Sequence, residues 1–177
     1  MHKLYDFIEA RERLTTVVVK TKLIHSPVFS EESGNEIYLK PENLQKTGSF
    51  KIRGAYNKIA KLTEEEKKKG VIASSAGNHA QGVAYAAKRL GIKAVIVMPK
   101  HTPLIKVEAT RKYGAEVVLY GEVYDDAYKK ALELQKENGY VFVHPFNDED
   151  VIEGQGTIAL EILDELPDAD IILVPLG

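Results

Sequence analysis

The chain has 177 residues, a formal net charge of −2, 44% hydrophobic and 28% charged residues, and no cysteine. This composition is typical of a soluble globular protein, and without cysteine a disulfide framework, a thiolate nucleophile and a thiolate metal site are excluded. With no basic block and no apolar run long enough to cross a bilayer, we expect a small-molecule partner, no nucleic acid, no membrane and a cytoplasmic location.

The first fifty residues predict a helix followed by extended chain and a loop. Apolar residues recur among charges with helical spacing between Lys3 and Leu14, which predicts a helix there. The β-branched segment Thr15 to Ser30 is expected to be partly extended. A strand is predicted from Glu36 to Lys40, where Pro41 ends it, and a loop from Glu42 to Gly48 follows.

From Ser49 onward the pattern changes to an alternation of helices and strands. Ser49 is predicted to cap a helix over Phe50 to Leu62. The further predicted helices are Asn78 to Leu90, Leu104 to Tyr113, Val123 to Asn138 and Ile152 to Leu166. The predicted strands are Val71 to Ser74, Ala94 to Met98, Glu116 to Tyr120, Tyr140 to Val143 and Ile171 to Pro175. This order predicts an α/β fold with an open, doubly wound parallel sheet in three αβα layers, and we prefer it to a solenoid because the repeats share no signature.

The first segment whose residues could take part in catalysis surrounds Lys51. Its position at a predicted helix start places the amine near the positive end of the helix, which disfavours the ammonium form. A neutral lysine can attack an aldehyde, as pyridoxal chemistry requires, and Phe50 could lie against a cofactor ring. The alternative is that Ser49 merely caps the helix and Lys51 is a solvated residue of the first turn.

The second segment runs from Ser74 to Gly82, between a predicted strand and a predicted helix. Backbone N–H groups at such a helix start form an anion site, which suits a carboxylate. The alternative is a helix-capping turn in which Gly77 supplies the bend and Asn78 the cap. A third motif, Gly154 to Ala159, formally matches a dinucleotide-binding pattern, but no strand directly precedes it. The five histidines show no local metal-binding pair, so we expect no metal.

Three segments together resemble the threonine dehydratase family of fold-type II pyridoxal-phosphate (PLP) enzymes. They are Lys40 to Ala55, Ser75 to Gly82 and Glu153 to Ile162, and they match in register over nearly the whole chain. The resemblance implies that Lys51 forms the Schiff base with PLP, that Phe50 packs beside its ring, and that Asn78 binds its hydroxyl. It also implies that the substrate carboxylate is surrounded by Ser75, Ala76, Gly77, Asn78 and His79, and that Gly177 begins the phosphate-binding glycine loop.

The resemblance also implies an activity and a domain order. The expected reaction is dehydration and deamination of L-threonine or L-serine to a 2-oxo acid and ammonia, by an enzyme that is a homo-oligomer. A serine racemase-like activity is disfavoured because Ala76 stands where a racemase would place a serine. Residues 1–50 and 146–177 are assigned to a large PLP domain and residues 51–145 to a small domain. Because only the start of the glycine loop is present, we expect a truncated large lobe, and an inactive folding fragment is the alternative.

Overall fold

The computed structural model describes residues 2–175 and contains eight α-helices and six strands within them. The helices are α1 Leu4–Leu14, α2 Pro27–Ser33, α3 Lys51–Ala60, α4 Glu64–Lys69, α5 Asn78–Leu90, α6 Leu104–Lys112, α7 Tyr124–Asn138 and α8 Glu149–Glu165. The strands are β1 Ile24–His25, β2 Tyr38–Leu39, β3 Val71–Ser74, β4 Ala94–Met98, β5 Glu116–Leu119 and β6 Val141–Phe142. A short 3₁₀ helix covers Glu42–Leu44 in the predicted loop. Within residues 2–175 no helix is both long enough and apolar enough to cross a membrane.

The main sheet has four parallel strands in the order β5-β4-β3-β6. The chain builds β3, β4 and β5 in one direction and then returns to place β6 on the other side of β3. This reversal confirms the doubly wound sheet, because the strands of a solenoid would follow one another in chain order. Open α/β sheets bind ligands beyond the carboxyl ends of the strands where the order reverses. The ends of β3 and β6 therefore mark the expected site.

Alternate residues of the strands face two different helix layers. Toward α3, α5 and α6 the sheet presents a buried set that includes Val71, Ala73, Ala94, Ile96 and Met98. Toward α7 it presents Ile72, Val95 and Val97, which pack with Ala127 and Ala131. Every residue of β3 and β4 is buried, as expected for parallel strands covered on both faces. The three-layer arrangement follows from this double burial.

Helix α3 lies between the sheet layer and a second group of helices. It packs against α5 on one side and against α8 on the other, and α1 in turn packs on α8. A small antiparallel pair, β1 with β2, joins Ile24 to Leu39 and His25 to Tyr38. The start of α3 is therefore enclosed by elements from both halves of the chain.

Two helices differ from the sequence predictions. The segment Thr15 to Ser30, predicted as partly extended, runs into α2, which begins with Pro27 at its first turn and ends at Gly34 with φ of 69°. Proline at the first helical position and glycine just after the last one are helix boundary signals. Helix α4 has no apolar period and was not predicted; Thr63 and Glu66 cap its start reciprocally, with acidic residues first and basic residues last.

The predicted final strand is wrong for the described residues. Ile171 to Pro175 forms no strand, and the exposed fractions of Ile171, Ile172, Leu173 and Val174 are 77, 44, 88 and 69%. A strand exists only when a neighbour accepts its backbone hydrogen bonds, and no strand within residues 2–175 pairs with this segment. The Gly177 prediction lies outside the described residues.

Candidate active site

Three chain segments meet at the carboxyl edge of β3 and β6. The loop 75–77 leads from β3 into α5, and residues 143–148 lead from β6 into α8. The first turn of α3 brings Lys51 to the same place, because its backbone contacts Gly82 of α5 and its side chain reaches Pro145. The sequence predicted the Lys51 segment and the 74–82 segment separately, and the fold joins them.

Lys51 is the first residue of α3, and its amine is held in a half-buried position. Nζ donates a hydrogen bond to the carbonyl oxygen of Pro145 at 2.8 Å and lies 5.2 Å from the centroid of the Phe50 ring. Burial lowers the pKa of Lys51 below its ordinary value. A lower pKa raises the fraction of neutral amine, which is the nucleophilic and basic form.

The predicted cap at Ser49 is displaced by one residue. Phe50 occupies the N-cap position of α3 and makes no side-chain cap bond, while Ser49 Oγ accepts from Lys51 N at 3.4 Å. Ser49 is buried, and the Phe50 ring remains 37% exposed. Phe50 therefore presents an open aromatic face next to the lysine amine.

The loop between β3 and α5 leaves the start of α5 open. Ser75 N donates to the carbonyl of Val97 at 3.2 Å, and Ser75 Oγ accepts from Gly77 N at 3.2 Å. Gly77, the N-cap residue, provides no side-chain cap, and a Cβ built on it would meet no atom of residues 2–175 within 4 Å. Ala76 is half-buried and Asn78 is exposed. Open space beside the free N–H groups of a helix start is an anion-binding arrangement.

His79 is buried and neutral at pH 7. Its Nε2 lies 2.8 Å from the carbonyl oxygen of Val143, so Nε2 carries the proton and Nδ1 is the acceptor. Burial lowers the pKa of His79 from 6.5 to about 4, and the nearby charge of Lys51 acts in the same direction within that total. His79 accordingly offers an anion no positive charge, and one of its ring nitrogens already binds the backbone.

Several buried polar atoms around the site have no partner among residues 2–175. They are Thr47 Oγ1, Ser74 Oγ and His79 Nδ1. Leaving such a group unsatisfied costs about 1–3 kcal/mol, so Ser74 at the end of β3 and His79 at the start of α5 indicate a place for a ligand or water. Thr47 and Ser74 were not among the predicted site residues.

Sequence reasoning also missed the contribution of the loop after β6. Pro145 supplies the carbonyl for Lys51, and His144 Nδ1 accepts from Asn147 N at 2.8 Å and Phe146 N at 3.3 Å. Burial lowers the pKa of His144, and the charge of Lys51 contributes in the same direction. The signal was available, because residues that directly follow a strand at the sheet reversal belong to the ligand edge.

One group of possible metal ligands forms away from this edge. Ligand atoms of His2, Asp6 and Glu153 lie within 4.8 Å of one another. These side chains already have partners: Glu153 Oε2 lies 2.9 Å from Lys61 Nζ, and Asp6 Oδ2 accepts from Lys3 N at 2.7 Å. Because both carboxylates already accept hydrogen bonds from the protein, we assign no metal to the group.

Comparison with known proteins gives a consistent result. The L-threonine ammonia-lyase of Thermotoga maritima is 60% identical over 177 residues, which is 100% of this chain and 44% of that protein. The processed form of threonine deaminase isoform 2 from Solanum lycopersicum superposes with a TM-score of 0.86 at 43% identity, over 94% of this chain and 47% of that one. A PLP-dependent aspartate racemase superposes with a TM-score of 0.90 at 42% identity, over 95% of this chain and 53% of that one. The chain spans about half the length of the curated relatives it matches.

A family model described as "Pyridoxal-phosphate dependent enzyme" matches residues 14–177. The match includes the lysine at the start of α3, the open start of α5 and the loop after β6, and it agrees with the resemblance seen in the sequence. The chain belongs to the family of pyridoxal-phosphate dependent enzymes.

Proposed function

We propose that this chain carries the lysine and the substrate-binding loop of a PLP-dependent L-threonine ammonia-lyase. The enzyme would convert L-threonine to 2-oxobutanoate and ammonia, and L-serine to pyruvate and ammonia. The observation that carries the proposal is the half-buried amine of Lys51, with its lowered pKa, at the sheet reversal beside the open start of α5. The similar proteins are named L-threonine ammonia-lyase and threonine deaminase, which supports L-threonine as the substrate.

The described residues fit PLP. The cofactor needs an amine, a flat apolar surface and polar partners, and the edge offers Lys51, the exposed face of Phe50 and the exposed Asn78. Ser74 Oγ, which has no partner among residues 2–175, provides further hydrogen-bonding capacity. Lys51, Phe50 and Asn78 are the residues proposed to hold PLP, with Gly177 as a phosphate contact.

The proposed roles divide between proton transfer and binding. PLP, when bound, takes up the electron pair that remains at the substrate Cα after proton loss. Lys51 Nζ is the proposed base that removes this proton and holds it, a role that its lowered pKa favours. The substrate carboxylate is proposed to bind in the loop from Ser75 through His79, where the α5 N–H groups supply the hydrogen bonds. Neutral His79 then shapes the loop without adding charge.

The proposed domain division assigns residues 51–145 to a small domain and the flanking segments to a large one. It is supported by the main sheet, which lies wholly within residues 71–142, and by the packing of α1 on α8 outside that sheet. We further propose a cytoplasmic homo-oligomer. The lack of cysteine supports the location, and the exposed apolar side chains of Ile24, Val28 and Phe29 support burial against further protein.

Amino-acid racemisation is the second candidate, because the aspartate racemase superposes with a TM-score of 0.90. A racemase needs a second acid or base on the opposite face of Cα. Ala76, which precedes Gly77 and Asn78, has no proton to exchange. The alanine therefore favours elimination over racemisation at this site.

A chimaera tests the proposal, in which these 177 residues replace the matching segment of the Thermotoga maritima enzyme. With PLP and L-threonine we expect 2-oxobutanoate and ammonia in equal amounts, and no product from Lys51→Ala. Lys58→Ala is the matched control, because Lys58 lies on the same helix but pairs with Asp148 and Asp150. Chiral analysis of L-serine reactions distinguishes the second candidate. A folded, PLP-loaded chimaera that forms D-serine and no 2-oxo acid would contradict the lyase assignment.

A further inference from the structure

The first turn of α3 is touched by the backbones of two other helices. On the α5 side, a Cβ built on Gly82 would lie 3.0 Å from the carbonyl carbon of Lys51 and 3.1 Å from its oxygen. On the α8 side, a Cβ built on Gly154 would lie 2.6 Å from the Arg53 carbonyl oxygen and 2.6 Å from Gly54 Cα. Since these neighbours are main-chain atoms, any side chain at either position would have to displace α3 itself.

Helix propensity does not explain these glycines. Both lie inside helices, where alanine is intrinsically favoured over glycine. Neither has a backbone angle that requires glycine, because neither is among the residues of positive φ. The close approach to α3 is the physical reason that remains at both positions.

Polar contacts from α8 fix the same turn. Gln155, next to Gly154, accepts a hydrogen bond from Gly54 N at 3.0 Å through Oε1. Further along α8, Glu161 accepts from Arg53 Nη1 at 2.7 Å and from Nη2 at 2.9 Å. Helix α8 therefore holds the backbone immediately after Lys51 both by contact and by hydrogen bonds.

The tip of the lysine is held by the segment that leads into α8. Nζ donates to Pro145 O, four residues before α8 begins at Glu149. The titratable groups coupled to this part of the site are His79 of α5, which is neutral at pH 7, and His144 and Asp148 of the same loop. The backbone at the start of α3 is thus held by α5 and α8, and the amine is held by the loop that leads into α8. The depth at which the amine is buried therefore depends on how closely α5 and α8 approach α3.

We propose that Gly82 and Gly154 are positioning residues, which set how deeply the Lys51 amine lies at the edge of the sheet by letting α5 and α8 touch the first turn of α3. This inference rests on the proposed function only for the role of Lys51. The effect of the two glycines on the position of the amine does not require bound PLP.

The test is trace acetylation of the 177-residue chain with acetic anhydride at a series of pH values, with each lysine quantified by peptide mass spectrometry. Lys100 serves as internal reference, because its side chain is 60% exposed. The variants are Gly82→Ala and Gly154→Ala. Gly156→Ala is the control on α8, because its Cβ would meet the Phe7 ring of α1 instead of α3.

We expect the midpoint of the Lys51 profile to rise in Gly82→Ala and Gly154→Ala, because a displaced α3 returns the amine to water and relieves the burial that lowers its pKa. In Gly156→Ala the midpoint should stay at the unsubstituted value, even where thermal stability falls. A purely structural role would lower stability in all three variants and leave every midpoint unchanged, which overturns the proposal.

If neither positioning variant folds, Gln155→Met removes the bond to Gly54 N from a partly exposed side chain and should raise the midpoint in the same direction. An unchanged midpoint there overturns the proposal as well. Acetylation requires no PLP, so a shifted midpoint with no cofactor attachment would retain the positioning role and reject the proposed function.

Discussion

The two sides of α3 differ in how completely their polar groups are paired. Toward α8, Arg53 is 0% exposed and hydrogen-bonds with both carboxylate oxygens of Glu42 and of Glu161 and with Thr157. Toward the sheet edge, the Lys51 amine makes one hydrogen bond within residues 2–175, and the buried His79 retains a ring nitrogen without a partner there. On the α8 side, Gln155 Nε2 is a buried atom that also lacks a partner among residues 2–175. The Arg53 network nevertheless fixes the helix on its support, while incomplete pairing around Lys51 and His79 leaves capacity for a ligand.

The paired side is also balanced in charge. Lys40 Nζ lies 2.7 Å from Glu161 Oε2, so two cations face the two carboxylates Glu42 and Glu161. Burial raises the pKa of Glu161, but the hydrogen bonds from Arg53 and Lys40 lower it by more, and the net pKa is below the ordinary value. Buried charges persist only when they are paired in this way.

The largest effect on stability is expected from substitution of Arg53. Arg53→Met leaves Glu42 and Glu161 partly buried and short of a cation, so the free energy of unfolding should fall by about 3–5 kcal/mol. Urea unfolding of the 177-residue chain at pH 7 measures it, with Arg111→Met as the control on an exposed arginine. A loss no greater than that of the control would contradict the view that this network holds α3 on α8.

The second largest effect on the free energy of unfolding comes from His79 and depends on pH. Its folded pKa of about 4 lies below the ordinary 6.5, so on acidification the unfolded chain binds the proton first. Stability is therefore full above pH 6.5 and should fall by about 3 kcal/mol as the pH approaches 4. Urea unfolding across this range measures the slope, and His79→Gln should flatten it.

The contribution of His79 to the pH dependence of stability can be separated from that of the carboxylates. The pKa values of Asp150 and Glu161 are lowered below 3.8 and 4.5, so their stabilisation is lost only as the pH falls through those lower values. Between pH 4.5 and 6.5 the slope should belong mainly to His79, with a smaller part of the same sign from the less buried His144, whose pKa is also lowered. An equal slope in His79→Gln over this interval would show that another group is responsible.

The third effect is at Asn57, on the paired side of α3. Asn57 is fully buried, donates to the Asp150 carbonyl at 2.7 Å and accepts from Arg13 at 2.8 Å. Asn57→Ala should cost about 2 kcal/mol, because the buried amide and its two partly buried partners lose their hydrogen bonds. Chemical denaturation measures this cost, with Asn138→Ala at an exposed position for comparison. A cost equal to that of Asn138→Ala would contradict the view that the paired polar groups hold α3 in place.

The smallest effect on stability is expected at Lys51. Lys51→Met removes a half-buried amine whose lowered pKa shows that burial disfavours its charge, and it also removes the bond to Pro145. These changes oppose each other, so stability should change by less than about 1 kcal/mol. A large loss in thermal or urea unfolding would mean that Lys51 supports the fold, and the contrast between the two sides of α3 would fail.

The sequence predicts the buried part of the fold well, because burial leaves a regular apolar pattern. The bounds of β3, α5 and β4 agree with their predictions residue for residue. Helix α4 was missed because it buries no residue, and its only signals are the cap at Thr63 and the order of its charges. The apolar pattern of Ile171 to Val174 predicted a strand, but pairing depends on a neighbour that the pattern does not contain.

For the site, the sequence identified the residues that a motif carries and missed those that topology supplies. Lys51 and the loop from Ser75 to His79 were predicted, and the fold places Lys51 beside α5. Pro145 contributes only a backbone carbonyl, which any residue could provide, so no residue type marks it. The unpartnered Thr47 and the contact at Gly82 likewise depend on three-dimensional neighbours.

The most direct test of the central claim is the site of PLP attachment. The 177-residue chain is incubated with PLP and reduced with borohydride, and the labelled lysines are located by peptide mass spectrometry, with Lys51→Ala and Lys58→Ala in parallel. The account predicts preferential labelling of Lys51 at low PLP concentration, its persistence in Lys58→Ala, and its loss in Lys51→Ala without transfer to another residue. Labelling spread over exposed lysines in a folded chain, with Lys51 no more reactive than Lys100, would contradict the assignment of Lys51 as the cofactor lysine.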